Sequence, residues 1–494
     1  MRRALCAAIG AVIAAAIAPA GAVTLNARGM GQVLIYPYYT TNAGFGTLLS
    51  VVNTTNQGKA LKVHIREGYN GRDVLSFNLY LSPYDEWVGQ LYYSDGGAAL
   101  ATNDNSCTVP DFGRNAASPG IGVITLGSSG YTGANADGGP TAISRKREGY
   151  IEIIEMGTIT NASHQTLNAI SHMSDGVPAN CGQLWNAWGD GGYWSADPTS
   201  DLAPPSGGLY GAESIINVGA GLLYAVNAQA IDGFGAAVQH TAPVGALPDL
   251  SSATKDANGV VSAFVPVGRS MVRADFTHGE DAISALLMTD SLFNEYVVDT
   301  DLGATTDWIV TFPTKRFYTD MAFLGGAFPA RMPFDVAFSA AVNGSAPSPV
   351  GPIWADREEA RVDLSGGCGF LCPTNPGYGL GYATNAITIG TDASVFASQL
   401  LMNQHVPTEQ AGFVAGHLQL SLVADVVGTV DPNHILSADN GVAFKGLPAL
   451  GFAAINYVNG NVTPGTLANY SGAYPHRSTG NCSKVVDGDA VPCD

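Results

Sequence analysis

The stretch ALKVHIREG, residues 60–68, sets Leu61, Val63 and Ile65 at every second position, with Lys62, His64 and Arg66 in the places between. A period of two fits an extended strand whose two faces meet different surroundings. FNLYL repeats the pattern with Phe77, Leu79 and Leu81. Turn-forming segments separate such runs: NTTNQG at 53–58, YNGRD at 69–73 and SPYD at 82–85. Short strands at this spacing predict an all-β chain that opens with an immunoglobulin-like β-sandwich over residues 23–160. On that reading the aliphatic residues point inward, and His64 and Arg66 lie on the solvent face.

The pattern continues with interruptions. In GYIEIIEMG, Ile151 and Ile153 alternate with Glu152, and the phase slips at Ile154 as a β-bulge would make it. Residues 161–330 read as a larger, loop-rich β region with short helices. It begins with an excursion at 161–208 holding one helix near CGQLWNAW, and continues with two strands joined at Gly219-Ala220-Gly221. Thr277-His278-Gly279-Glu280 has capping-box spacing ahead of DAISALLM and predicts a helix start. DWIVTF resumes the strand pattern, with Trp308, Val310 and Phe312 on one face. Residues 331–494 read as a C-terminal β domain. There GHLQLSLV alternates Leu418, Leu420 and Leu422, and YVNGNV predicts a hairpin turn at Asn459-Gly460. No repeat of fixed period is found, so neither propeller nor solenoid is supported.

Residues 1–22 have the parts of a secretory signal: Arg2 and Arg3, a short apolar run from Ala4 to Ala18, and small residues up to Ala22 as a cleavage site. The run is shorter than the roughly 20 residues of a transmembrane helix. The expectation is therefore a secreted or cell-surface protein, extracellular or periplasmic, with no transmembrane helix. The chain has 22 basic and 41 acidic residues, a net charge of −19, and loss of the two leader arginines takes this to about −21. Such a field opposes nucleic acid, whose binding depends on basic residues meeting phosphates. Six cysteines follow the leader: Cys107, Cys181, Cys368, Cys372, Cys482 and Cys493. An even number in an oxidising compartment reads as three disulfides, and proximity favours pairing them in that order.

Two blocks carry a resemblance. GQVLIYPYYT through REGYNGRDVLSFNLYLSPYDEW, and GLPALGFAAINYVNGN through GTLANYSGAYPHR, resemble uncharacterised exported β-rich proteins of Gram-negative bacteria that have no assigned activity. That resemblance implies export and no site residues. TDSL at 289–292 and DPNH at 431–434 are similar to two blocks of GDSL-type esterases, although Thr289 stands where that family has glycine. The likeness implies Ser291 as nucleophile, His434 as base and Asp431 as its partner. A helix end and a turn account for the same residues without catalysis.

Other candidate chemistry comes from composition. Glu152 and Glu155 offer a carboxylate pair of the kind glycoside cleavage needs, but strand alternation puts them on opposite faces. Asp190, Asp197 and Asp201 in GDGGYWSADPTSD, and Asp299 and Asp301 in VDTDLG, are hard oxygen donors on turns, suited to a structural calcium, and no other cofactor is expected. Trp185, Trp188, Tyr193 and Trp194 form either an aromatic platform for a sugar or the core of the excursion. No coherent catalytic set emerges. The favoured expectation is a structural, adhesive or binding protein without catalysis, partnered by a surface glycan or protein. The alternatives are a secreted hydrolase of esters or glycans, and an outer-membrane β-barrel.

Overall fold

The strand Gly58–Glu67 is buried along its whole length on both faces. The structure is a computed structural model. It describes residues 21–113, 120–127, 129–324, 330–363, 379–390, 394–401, 405–406, 408, 412–423, 434–486 and 489–493. Residues 1–20 of the leader, Cys368, Cys372 and Asp431 lie outside the described residues.

Gly58–Glu67 pairs with Glu148–Ile159 on one side and Asp73–Leu81 on the other, inside a ten-stranded sheet. The sheet extends through Val33–Thr40, Gln229–Asp232 and Ala22–Leu25 to Val261–Val267 and Ser270–Phe276 at its far edge. A six-stranded sheet lies against it, in the order Leu222–Asn227, Leu209–Asn217, Gly46–Asn53, Glu86–Ser94, Gly97–Thr102, Gly122–Thr125. Leu61, Val63, Ile65, Phe77, Leu79 and Leu81 meet Leu49, Val51, Trp87 and Leu91 of this second sheet in one core. Each such side chain contributes about 1.5–3 kcal/mol on burial. The aliphatic half of the alternation is thus placed as expected, in a sandwich-like pair of sheets that also draws strands from 209–276.

Two further sheets complete the main body. A third sheet runs Arg361–Asp363, Gly351–Asp356, Ala415–Ser421, Ser291–Val297, Arg477–Thr479. A fourth runs His405–Val406, Thr384–Ile389, Ala304–Thr311, Leu450–Thr463, Thr466–Pro475. Tyr296, Trp354, Leu418 and Leu420 of the third share a core with Trp308, Val310 and Ile387 of the fourth. The opposite face of the fourth, with Ile309, Ala386 and Phe452, packs on Tyr38, Ile215 and Tyr224 from the first two sheets. DWIVTF is therefore covered on both faces, with Asp307 and Thr311 buried beside Ile309 on one of them. Among the described residues the strands form open sheets with no closed barrel, and no helix is long and apolar enough to cross a membrane.

Several local expectations shift. The phase slip in Glu148–Ile159 falls not at Ile154 but on either side of it, where the register breaks between Gly149 and Ile151 and between Glu155 and Gly157. The helix Gly279–Leu287 starts where expected, but His278 is its N-cap residue and no side chain caps it. Glu280 instead turns to the Arg331 guanidinium at 2.8 Å. The helix Cys181–Trp188 forms as expected, with the Asn180 side chain accepting from the Gln183 N–H. Asn459-Gly460 makes a bulge rather than a turn: Leu450–Thr463 runs on through it, and the hairpin reverses at Pro464-Gly465. Proline fixes φ and glycine reaches +82° there, which suits the reversal.

Two of the expected disulfides are formed, Cys107–Cys181 across 74 residues and Cys482–Cys493 across 11. Both fit an oxidising compartment. The first ties the 161–208 excursion to the edge strand Cys107–Val109. Replacing Cys107 and Cys181 together by serine is expected to cost about 2–4 kcal/mol in urea unfolding. An unchanged midpoint would show that the aromatic packing of the excursion holds it without the bond.

Candidate functional site

His64 and Arg66 are internal, which corrects their expected place on the solvent face. What covers them is a loop following Gln229–Asp232, and loops present main-chain carbonyls that need donors. The sheet supplies them. Lys62 Nζ donates to the Ala242 and Pro243 carbonyls at 2.6 and 3.2 Å, His64 Nε2 meets Pro248 O at 2.8 Å, and Asn78 donates to Thr241 O at 2.9 Å. Arg66 is paired with Glu152 at 3.0 Å. Burial lowers the Lys62 ammonium to about 7, against the opposing pull of Asp73. Burial would also raise the Asp73 carboxyl, but Arg66 and His64 outweigh it and hold it low.

This cluster contains a serine, a histidine and an aspartate, yet it is not a nucleophilic triad. Ser76 Oγ lies 2.6 Å from His64 Nδ1 and hydrogen-bonds to Asp73, so serine and aspartate share one side of the ring. A triad needs them on opposite nitrogens, and here the second nitrogen is occupied by Pro248 O. Glu152 and Glu155 do face opposite sides, Glu152 toward Arg66 and Glu155 toward Lys59 at 2.8 Å. Lys62, His64 and Asn78 fasten the loop to the sheet, while Lys59 and Glu155 hold Ser206 and Gly207 on the opposite face.

The aromatic residues of the excursion divide. Trp194 is buried and stacks on Tyr80 with centroids 5.2 Å apart, and Trp188 Nε1 donates to the Tyr80 hydroxyl at 3.0 Å. Tyr193 stacks on His164 at 3.9 Å. Trp185 keeps 41% of its surface exposed, with its N–H given to Thr108 O. Three of the four thus serve packing within the excursion. Asp190 is exposed, and Asp197 accepts from Thr199 in its own turn. Asp201 accepts the N–H groups of Ser163, His164 and Thr166 at the start of Thr166–Ile170. Among the described residues no group of three His, Cys, Asp or Glu side chains is placed to hold a metal ion. Ser291 begins a strand and its hydroxyl accepts from Gln419 at 3.2 Å, while His434 Nδ1 meets Leu422 O at 2.8 Å. Both abut the strand Ala415–Ser421, each engaged with a different group.

The outer face of the third sheet holds what the sequence reading passed over. Leu418 and Leu420 point inward there, so His417 and Gln419 point out. Register places Arg361 opposite Ala355, Ala355 opposite His417, and His417 opposite Glu295, making one row across four strands. Ile353, Gln419 and Phe293 make the next row. Above them lies an open groove of about 800 Å³, bounded also by Asp299, Arg357, Glu359 and Tyr457. Asp356 accepts the N–H groups of Glu358 and Ala360, and so shapes the turn that raises Arg357 and Glu359 at the rim. The legible signal was the second half of an alternation already used for the core.

Elsewhere the buried and half-buried arginines are committed. Arg145 is held by Glu67 and Asp137, Arg72 by Asp320, Arg316 by Asp249 and Arg331 by Asp281. Among the described residues, the side chains of Glu295, His417, Arg357 and Glu359 and the Tyr457 hydroxyl have no such partner. A second cavity, about 510 Å³ on the outer face of the six-stranded sheet, is lined by Leu48, Val88, Ala101 and Ile121 with serine and threonine hydroxyls and no charge. The first is the better candidate because its uncommitted donors and acceptors converge. No family model, curated protein or solved structure matches the chain.

Proposed function

We propose that this is an exported or cell-surface binding protein without catalysis, taking a polar ligand in the groove on the third sheet. The immunoglobulin-like scaffold, the leader and an adhesive role belong to the same reading. The observation that carries it is the gathering of donors and acceptors unpaired among the described residues, Glu295, His417, Arg357, Glu359 and the Tyr457 hydroxyl, around one open groove. The two disulfides favour an oxidising compartment. The geometry of Ser76, His64 and Asp73, and the separate engagements of Ser291 and His434, weigh against acyl transfer.

The test is retention of the mature chain on washed cell-envelope material, with ester and glycoside turnover followed in the same samples. Retention without turnover is expected, weakened about tenfold by Glu295→Gln with His417→Ala, as loss of charge-assisted hydrogen bonds would give. Ester turnover abolished by Ser291→Ala would replace the binding reading with the hydrolase.

A further inference from the structure

We infer that the groove takes a neutral oligosaccharide, laid across the strands with a sugar ring against Tyr457. The inference rests on the groove being the binding site proposed above, and it names the ligand's class. Its first support is the mixture of charge. Glu295, Asp299, Asp356 and Glu359 line the groove together with Arg357 and Arg361. A polyanion would meet the carboxylates and a polycation the guanidinium groups. A hydroxyl both donates and accepts, so a neutral sugar satisfies either sign: it donates to Glu295 and accepts from Arg357.

The second support is shape. The row from Arg361 to Glu295 crosses three inter-strand steps, about 14 Å. That is longer than one sugar ring, and the groove lies open, as a chain ligand requires.

The third support is an aromatic wall. Tyr457 borders the groove, and its direct cross-strand partner Tyr470 is 64% exposed. Directly opposed residues of an antiparallel pair share a face, so the two rings extend one surface. An aromatic face covers the C–H face of a sugar while polar groups take its hydroxyls.

The experiment is affinity electrophoresis of the mature chain in native gels. The gels contain the neutral polysaccharides dextran, laminarin and xylan, the anionic polygalacturonate, or the cationic glycol chitosan. Retardation that depends on the groove is expected in at least one neutral gel and in neither charged one, the attraction of glycol chitosan for the acidic chain being common to every variant. Glu295→Gln, His417→Ala and Tyr457→Ala are each expected to weaken it about tenfold, the loss of one good contact. Glu295 and His417 are exposed, so their variants keep the fold if the half-buried Tyr457 variant does not. Retardation by a charged polymer alone, abolished by the same variants, would overturn the neutral ligand and leave the groove as the binding site. Retardation in the neutral gels that ignores Glu295→Gln and His417→Ala, or variant-sensitive retardation in no gel at all, would overturn both.

Discussion

Arg66→Met is expected to destabilise the protein by about 3–5 kcal/mol, because it strands a buried carboxylate. Arg66 reaches Glu152 Oε2 through Nε at 3.2 Å and Nη2 at 3.0 Å, and both side chains are essentially inaccessible. Asp73 is a second neighbour of Arg66 at 3.9 Å, but it is partly exposed and water replaces its counter-ion. Glu152 has no such recourse, since it lies in the centre of the ten-stranded sheet with the 233–256 loop above it. The double variant Arg66→Met/Glu152→Met removes both charges and is expected to regain most of the loss, as apolar replacements of buried pairs do. Urea unfolding at neutral pH measures both. A single variant costing under about 1 kcal/mol, with no recovery in the double, would mean that Glu152 is not held by Arg66.

That pair also shows where the sequence was readable. Leu61, Val63 and Ile65 announce a strand with one apolar face, and the core contains them. The same alternation was silent on what covers Lys62, His64 and Arg66. A polar face is the same letter pattern whether it meets water or the carbonyls of an irregular loop, and that loop, at 233–256, is distant in the chain. Turn chemistry was legible at Gly219–Gly221, where Leu209–Asn217 and Leu222–Asn227 pair as a hairpin. It misled at Asn459-Gly460, because the long pairing with Thr466–Pro475 absorbs those residues as a bulge. The groove was hidden for a related reason. His417, Glu295 and Arg361 are separated by more than a hundred positions in the extreme, and register alone makes them one row.

Asp307 is expected to contribute stability that is present near pH 4 and is lost as pH rises to above 7. Its side chain is fully buried on the face of Ala304–Thr311 that packs against Phe396 and Tyr38. Burial raises its carboxyl to about 7, opposed by donors from Ser394 at 2.6 Å and the N–H groups of Val395 and Phe396, with the Glu148 charge adding to the rise. Glu148 is itself raised by burial although the Tyr38 and Ser398 hydroxyls and the Gln399 N–H donate to it, and burial raises Glu213 further. A carboxyl whose folded value exceeds its unfolded one binds more protons when folded. Its stabilisation is complete below the unfolded value near 4 and is lost through the folded value near 7. Three units correspond to about 4 kcal/mol from Asp307. Asp73, Asp137 and Asp249 act in the opposite sense: arginines hold them low against burial, so their contribution disappears below about pH 4. Burial also lowers His240 and His476 to about 3, Lys62 to about 7 and Lys315 well below its ordinary value, so these groups favour the fold as pH rises and oppose the trend of the buried carboxyls. Asp307→Asn keeps an acceptor for Ser394 and removes the titration, so it is expected to gain stability relative to the wild type as pH rises from 5 to 8. Urea midpoints across that range decide it, since a variant as steep as the wild type would mean that Asp307 is already ionised in the fold at pH 5.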